Sequence, residues 1–310
     1  MSTGAGHAHH AHGAPASARR VGVALALICA FMALEVLAGV LAHSLALISD
    51  AGHMLTDAVA LALSLLALSL AARPAAGAMT YGLRRVEVLS AQANGVTLAL
   101  LAIVIVYEAV GRLVHQPHVS AWPMVIVALA GILVNGLATF ALAGAGRHSM
   151  SVEGSFQHIL TDLFAFIGTA LAGLVILLTG FERADPIASL IVAGLMARSS
   201  YGLLRDSARV FLEAAPVGLD PGEVGRALAS ERDVVEVHDL HIWELAPGFA
   251  ALSAHVLVGS DCDCHAVRRG LEALLRERFE LEHTTLQVDH DDPQRLIALE
   301  PPRRGRPPAP

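Results

Sequence analysis

Hydrophobic positions run in six long blocks, at 21–41, 45–72, 86–113, 122–145, 152–179 and 187–204, with short polar breaks between them. About 20 apolar residues cross the hydrocarbon core of a bilayer, so six transmembrane helices are predicted. The first block follows Arg19 and Arg20 as a secretory signal would, but its length and the five blocks behind it mark a retained helix. From about residue 207 the pattern becomes mixed and charged. Asp220 or Pro221 starts a helix running to 230, and 234–245 and 249–258 alternate as paired strands around Pro247-Gly248. Residues 263–279 read as an amphipathic helix and 284–289 as a third strand. The order α-β-β-α-β predicts a small α+β sandwich with its helices on one face. A domain of about 85 residues has a small core and gains from dimerising.

The expected organisation is therefore a tail at 1–20, a six-helix membrane domain at 21–206, an α+β domain at 207–292 and a second tail at 293–310. His7, His9, His10 and His12 sit among Gly and Ala in the first tail, and the last ten residues are rich in Pro and Arg. Neither tail can bury enough apolar surface to fold, so both are expected to be disordered. The histidines of the first could collect metal weakly, since no fold fixes them.

Composition agrees with a membrane protein: 55% of the 310 residues are hydrophobic and only 16% are charged. Lysine is absent, which leaves arginine alone to report orientation. Arg19, Arg20, Arg73, Arg84, Arg85, Arg147, Arg198, Arg205 and Arg209 flank one set of span ends, against Arg112 and Arg183 at the other. Basic residues concentrate in cytoplasmic loops, so both termini and the α+β domain are expected in the cytoplasm, with a bacterial inner membrane as the setting. A net charge of -7 and the lack of a basic stripe with interleaved aromatics set nucleic acid aside as a partner.

Two near-identical pentads interrupt this apolar background, His53-Met-Leu-Thr-Asp57 and His158-Ile-Leu-Thr-Asp162. Residues four apart share a helix face, so each pentad points an imidazole and a carboxylate the same way. The second span runs inward and the fifth outward, which makes them antiparallel and lets two nitrogens and two oxygens converge. By rise per residue the four groups lie roughly 12–18 Å into their spans, near the midplane where transporters place their sites. That donor set suits a tetrahedral divalent metal, zinc above all, and two imidazoles disfavour magnesium and calcium. Buried polar contacts between helices are the plainer reading, but they do not explain why both residue types recur at one spacing. A zinc protease would need an open coordination position and a general base, and no His-Glu-x-x-His occurs.

Other polar residues in the spans carry less. Glu35 either lines a cavity or relays protons, or makes a structural hydrogen bond. Asp50 either lines the outer exit or caps its helix, and Asn94 and Asn135 join helices. Thr56 and Thr161 precede the two aspartates and could bond the carboxylates or back-bond to the helix. Cys29 reads as packing, while Cys262 and Cys264 are either a soft metal contact or a plain loop.

These motifs resemble the cation diffusion facilitator family, in its zinc-exporting branch. The likeness rests on 44–57 (SLALISDAGHMLTD), 81–94 (YGLRRVEVLSAQAN), 157–162 (QHILTD), Asp185-Pro186 and 211–216 (FLEAAP). In the α+β domain it rests on 237–244 (VHDLHIWE), 252–256 (LSAHV) and 282–289 (EHTTLQVD). The resemblance implies a six-helix membrane domain, a cytoplasmic metallochaperone-like domain and a homodimer. It implies a transport site at His53, Asp57, His158 and Asp162, with zinc as cargo and cadmium or cobalt as weaker ones. It also implies regulatory zinc ligands at His238, His255, His265 and Asp289, although Gln287 stands where some relatives have histidine. His241, Cys262, Cys264, His283 and His290 are nearby groups that could complete that site. Some relatives carry a further metal site in the loop after the second span; residues 76–83 hold no His, Asp or Glu, so that site is expected to be absent. Zinc needs neutral imidazole and ionised carboxylate, so loading should displace protons. The expected function is a secondary active, proton-coupled zinc exporter rather than an enzyme. A metal sensor using the soluble domain alone is the weaker alternative, given six spans and a midplane site.

Overall fold

A computed structural model describes residues 14–41, 45–115, 121–144 and 149–291. The histidine-rich start and the Pro/Arg-rich end lie outside the described residues, as do the side chains of Asp50 and His53. The chain divides into two compact units, the first running through Glu213 and taking in Leu245–Gly248, the second beginning at Ala214 and holding the remainder.

The first unit holds six long helices, α1 (Ala14–Leu41), α2 (Leu45–Ala71), α3 (Val86–His115), α4 (Ala121–Ala143), α5 (Met150–Thr179) and α6 (Ala184–Phe211). All six are long and apolar enough to cross a membrane. Large apolar side chains such as Tyr107, Phe140 and Leu178 point outward, which suits a lipid-facing surface. Local chemistry sets the ends of α5. The Ser149 hydroxyl accepts from the Val152 N–H, and Gly180 takes the left-handed conformation that closes the helix. Helix α6 does not stop where its apolar run thins at 204 but continues through Arg205 and Arg209 to Phe211.

Two apolar cores hold these helices. One joins α1, α2, α4 and α5 through Val21, Ile28, Met54, Leu61, Leu142, Phe156 and Ile159. The other joins α3 and α6 through Leu98, Ala102, Val192, Met196 and Leu203. Glycines let α4 lie close to α5: a Cβ at Gly131 would fall 2.6 Å from Phe166 Cγ, and one at Gly173 would fall 2.6 Å from Val125 Cγ2.

The second unit contains α7 (Pro221–Ala229), β1 (Val234–Ala246), β2 (Phe249–Val258), α8 (Cys264–Phe279) and β3 (His283–His290), the expected order. Asp220 caps α7 ahead of Pro221, and Asp263 caps α8 by accepting from the His265 and Ala266 N–H groups. The three strands form one sheet in the order β1-β2-β3, with β2 parallel to β3 and His255 opposite Gln287. Ala254, Val256 and Val258 alternate inward onto a core with Leu271 and Leu275 of α8 and Leu228 of α7. His255 and Gln287 therefore project from the face opposite the helices.

Candidate metal centre

Asp57 lies in the middle of α2, and His158 and Asp162 lie one turn apart on α5. All three are almost wholly removed from solvent. His158 Nε2 is 2.8 Å from Asp57 Oδ1 and 3.7 Å from Asp162 Oδ2. One ligand atom from each residue lies within 4.8 Å of the others, and among the described residues this is the one such group of His, Cys, Asp and Glu. The two helices meet antiparallel, as the topology required: Asp57 touches His158, while Ser64, two turns further along α2, reaches back to Ser155 and Ser151. His53 stands on α2 one turn before Asp57, but its side chain lies outside the described residues.

The short Asp57–His158 contact has a chemical consequence. At 2.8 Å the oxygen and the nitrogen are within hydrogen-bond distance, and in the metal-free pair a proton on one of them bridges to the other. A zinc ion bound to both atoms at about 2.0–2.2 Å would need the lone pairs that this proton occupies. Cation and proton therefore compete for one place.

The residues around the site divide. Thr56 donates to Asp57 Oδ1 at 3.5 Å, a long bond. The Thr161 hydroxyl donates at 2.6 Å to the Gln157 carbonyl, so it back-bonds to its own helix. Glu35 is buried on α1. Asn135 is also buried, and its amide donates to the Gly131 carbonyl.

In the second unit the four proposed regulatory ligands do not converge within one chain. The His238 and His255 rings face each other with centroids 5.4 Å apart. Asp289 instead accepts from Gln287 Nε2 at 2.8 Å, and His265 stands in the first turn of α8, in the helix layer. Asp239, which the residue pattern did not single out, lies among three histidines. Its carboxylate is 2.8 Å from His241 Nε2 and 3.9 Å from His255 Nε2. The hydrogen bond with His241 depresses its pKa, and the neighbouring charges of His241, His255 and His238 lower it further. The backbone at Asp239 is left-handed, with φ of +52°, a conformation that aspartate takes more readily than most residues. Cys262 donates its thiol to the Gly259 carbonyl at 2.9 Å, and burial pushes its pKa up, so it offers no ready thiolate.

Residues 21–212 match the family model described as the cation efflux transmembrane domain, and residues 216–291 match the cation efflux protein, cytoplasmic domain. The chain is 34% identical to a "Cadmium, cobalt and zinc/H(+)-K(+) antiporter" of Bacillus velezensis, over 92% of each chain. It is 37% identical to "Zinc transporter ZitB" of Escherichia coli, over 88% of each. A "Metal cation efflux system protein CzcD" of Cupriavidus metallidurans is 36% identical over 92% of this chain and 90% of its own.

Proposed function

Since the chain belongs to the cation efflux family and is an integral membrane protein for metal-cation transport, we propose that it exports zinc from the cytoplasm in exchange for protons. The observation that carries this reading is the buried Asp57–His158–Asp162 group in the middle of two antiparallel spans. His53, one turn before Asp57, completes a tetrahedral set of two nitrogens and two oxygens. Cadmium and cobalt, named for one of the relatives, are weaker cargoes for the same donors.

The exchange follows from the competition between cation and proton. Zinc reaches the site from the cytoplasm and displaces the proton between Asp57 and His158. The helices then rock to close the cytoplasmic path and open the outer one. Zinc leaves, a proton from outside takes the vacated lone pairs, and the empty site returns. Histidine titrates near neutral pH, so both steps are accessible under physiological conditions.

The remaining assignments rest on this cycle. Both termini and the α+β unit face the cytoplasm, and the protein works as a homodimer in a bacterial inner membrane. Transport belongs to the six-helix unit, which runs from Ala14 of α1 to Glu213 rather than over the expected 21–206, and regulation and dimerisation belong to the α+β unit that begins at Ala214 rather than at 207. His238, His255, His265 and Asp289 sense cytoplasmic zinc; because they do not converge within one chain, the second copy has to supply part of any site. Zinc and protons are the small partners and the bilayer is the solvent.

The test is purified protein in liposomes holding a zinc dye, with and without an imposed pH gradient. Zinc uptake that the gradient accelerates is expected. An absence of zinc flux, or flux indifferent to the gradient, would sink the antiport reading.

A further inference from the structure

One polar cluster in the membrane unit is not part of the metal group. Ser64 of α2, Ser90 of α3 and Ser151 and Ser155 of α5 are all buried and hydrogen-bonded to one another. Ser64 Oγ is 2.6 Å from Ser155 Oγ and 3.4 Å from Ser90 Oγ, and Ser151 Oγ donates to Ser90 Oγ at 3.1 Å. Ser64 also donates to the Ser151 carbonyl at 3.2 Å. One turn beyond Ser90 on α3 lies Asn94, only 2% exposed. Its amide nitrogen has no hydrogen-bond partner among the described residues. That nitrogen points at α5, where a Cβ on Gly154 would come within 3.3 Å of it.

These groups form a column. Glu87 in the first turn of α3 meets the Ser149 hydroxyl at the cap of α5. Ser90 and Ser151 follow, then Ser64, Ser155 and Asn94, then Asp57 and His158. In the proposed orientation the column leads from the cytoplasmic surface to the transport site. It also follows the boundary between the two apolar cores: α3 belongs with α6, while α2 and most of α5 belong with α1 and α4, Ala165 of α5 packing against the α3–α6 core as well.

Serines between helices often do no more than permit close approach. Two features here go further. Asn94 keeps a buried donor without a partner among the described residues, which is costly and suits a group that finds its partner in another state. Hydroxyl pairs also exchange for water at little net cost, whereas parting an apolar seam costs free energy in proportion to the surface it exposes. The hydroxyl seam is therefore where α3 can part from α2 and α5 with the least apolar surface exposed.

We propose that Ser64, Ser90, Asn94, Ser151 and Ser155 form the cytoplasmic gate of the transport path, sealed here by hydroxyl pairs and lining the entry of the hydrated cation when α3 parts from α2 and α5. The gate rests on the transport reading above. Glu87 at its mouth supplies a negative group that favours cations.

The test places Ser90→Cys and Ser151→Cys together in a chain whose Cys29, Cys262 and Cys264 are replaced by serine. Diamide takes two electrons and two protons from the thiol pair and leaves a disulfide across the seam. Zinc flux in liposomes is read before oxidation, after it, and after reduction with dithiothreitol. Flux that falls in proportion to the cross-linked fraction and returns on reduction supports the gate. Unchanged flux in fully cross-linked protein overturns the gate and leaves the transport reading standing. No flux in the cysteine-free parent removes the transport reading, and the gate with it. A single Ser90→Cys chain supplies a measurement that needs no flux. Its thiol should react with a membrane-impermeant reagent from the cytoplasmic face and not from the opposite face; a thiol inert from the cytoplasmic face also overturns the gate.

Discussion

Asp57→Asn separates the metal chemistry from the packing. The amide keeps the shape of the carboxylate and an oxygen that can accept from His158 Nε2, so the buried contact seen at 2.8 Å survives and the helices stay docked. What is lost is the negative charge and the strong oxygen donor. Removing a group that only orients a ligand costs about 10–100-fold in metal affinity, so removing a direct ligand should cost at least about 100-fold, or about 2.8 kcal/mol. Asp57→Ala should lose affinity equally but also destabilise the fold by about 1–3 kcal/mol, because His158 Nε2 loses its closest partner. Equilibrium binding of radiolabelled zinc to solubilised protein gives the affinity, and thermal unfolding of the same samples gives the stability. Both variants should fail in zinc flux while only the alanine variant melts early. An Asp57→Asn protein that binds and transports zinc like the parent would refute Asp57 as a ligand.

Other expectations follow from packing and titration. Gly131→Ala should drive a methyl into the Phe166 ring and destabilise the contact of α4 with α5 by about 1–3 kcal/mol, seen as earlier thermal unfolding; an unchanged midpoint would mean that Phe166 moves aside freely. Cys262 should be alkylated more slowly in the native than in the denatured protein, with its pH midpoint above the ordinary 9.0, because burial and the charge of Asp233 raise its pKa; equal rates would contradict that placement. Asp263 has a depressed pKa, chiefly through the Ala266 N–H bond, so its capping contribution is present above the usual 3.8 and disappears as pH falls through the lower folded value. Asp263→Ala should therefore melt earlier at neutral pH and converge with the parent in acid, and a difference that persists in strong acid would count against the cap.

Much of this architecture was readable because two periodicities dominate it. Uninterrupted apolar runs marked six helices, and spacing of four placed His158 above Asp162 without any tertiary information. Antiparallel spans then brought Asp57 to His158. Other features depend on register between helices, which single-chain patterning does not carry. Ser64, Ser90, Ser151 and Ser155 are unremarkable as isolated hydroxyls in apolar runs, and only their pairing across three helices makes them a cluster. Helix α6 outran its apolar pattern because Arg205 and Arg209 can be solvated on a helix that continues beyond the bilayer. The family resemblance groups His265 with His255, but strand alternation puts His255 on the open face of the sheet while His265 begins a helix of the covering layer. Asp239 takes a left-handed backbone inside β1, which the alternation of the strand does not announce.

The central claim is that zinc and protons exchange at the buried Asp57–His158–Asp162 group. Proton movement on adding external zinc to liposomes that hold a pH dye tests it directly, with the parent compared against His158→Ala. A proton current opposite to zinc is expected in the parent and none in the variant. Zinc uptake without counter-movement of protons, or an equal proton current in the variant, would contradict it.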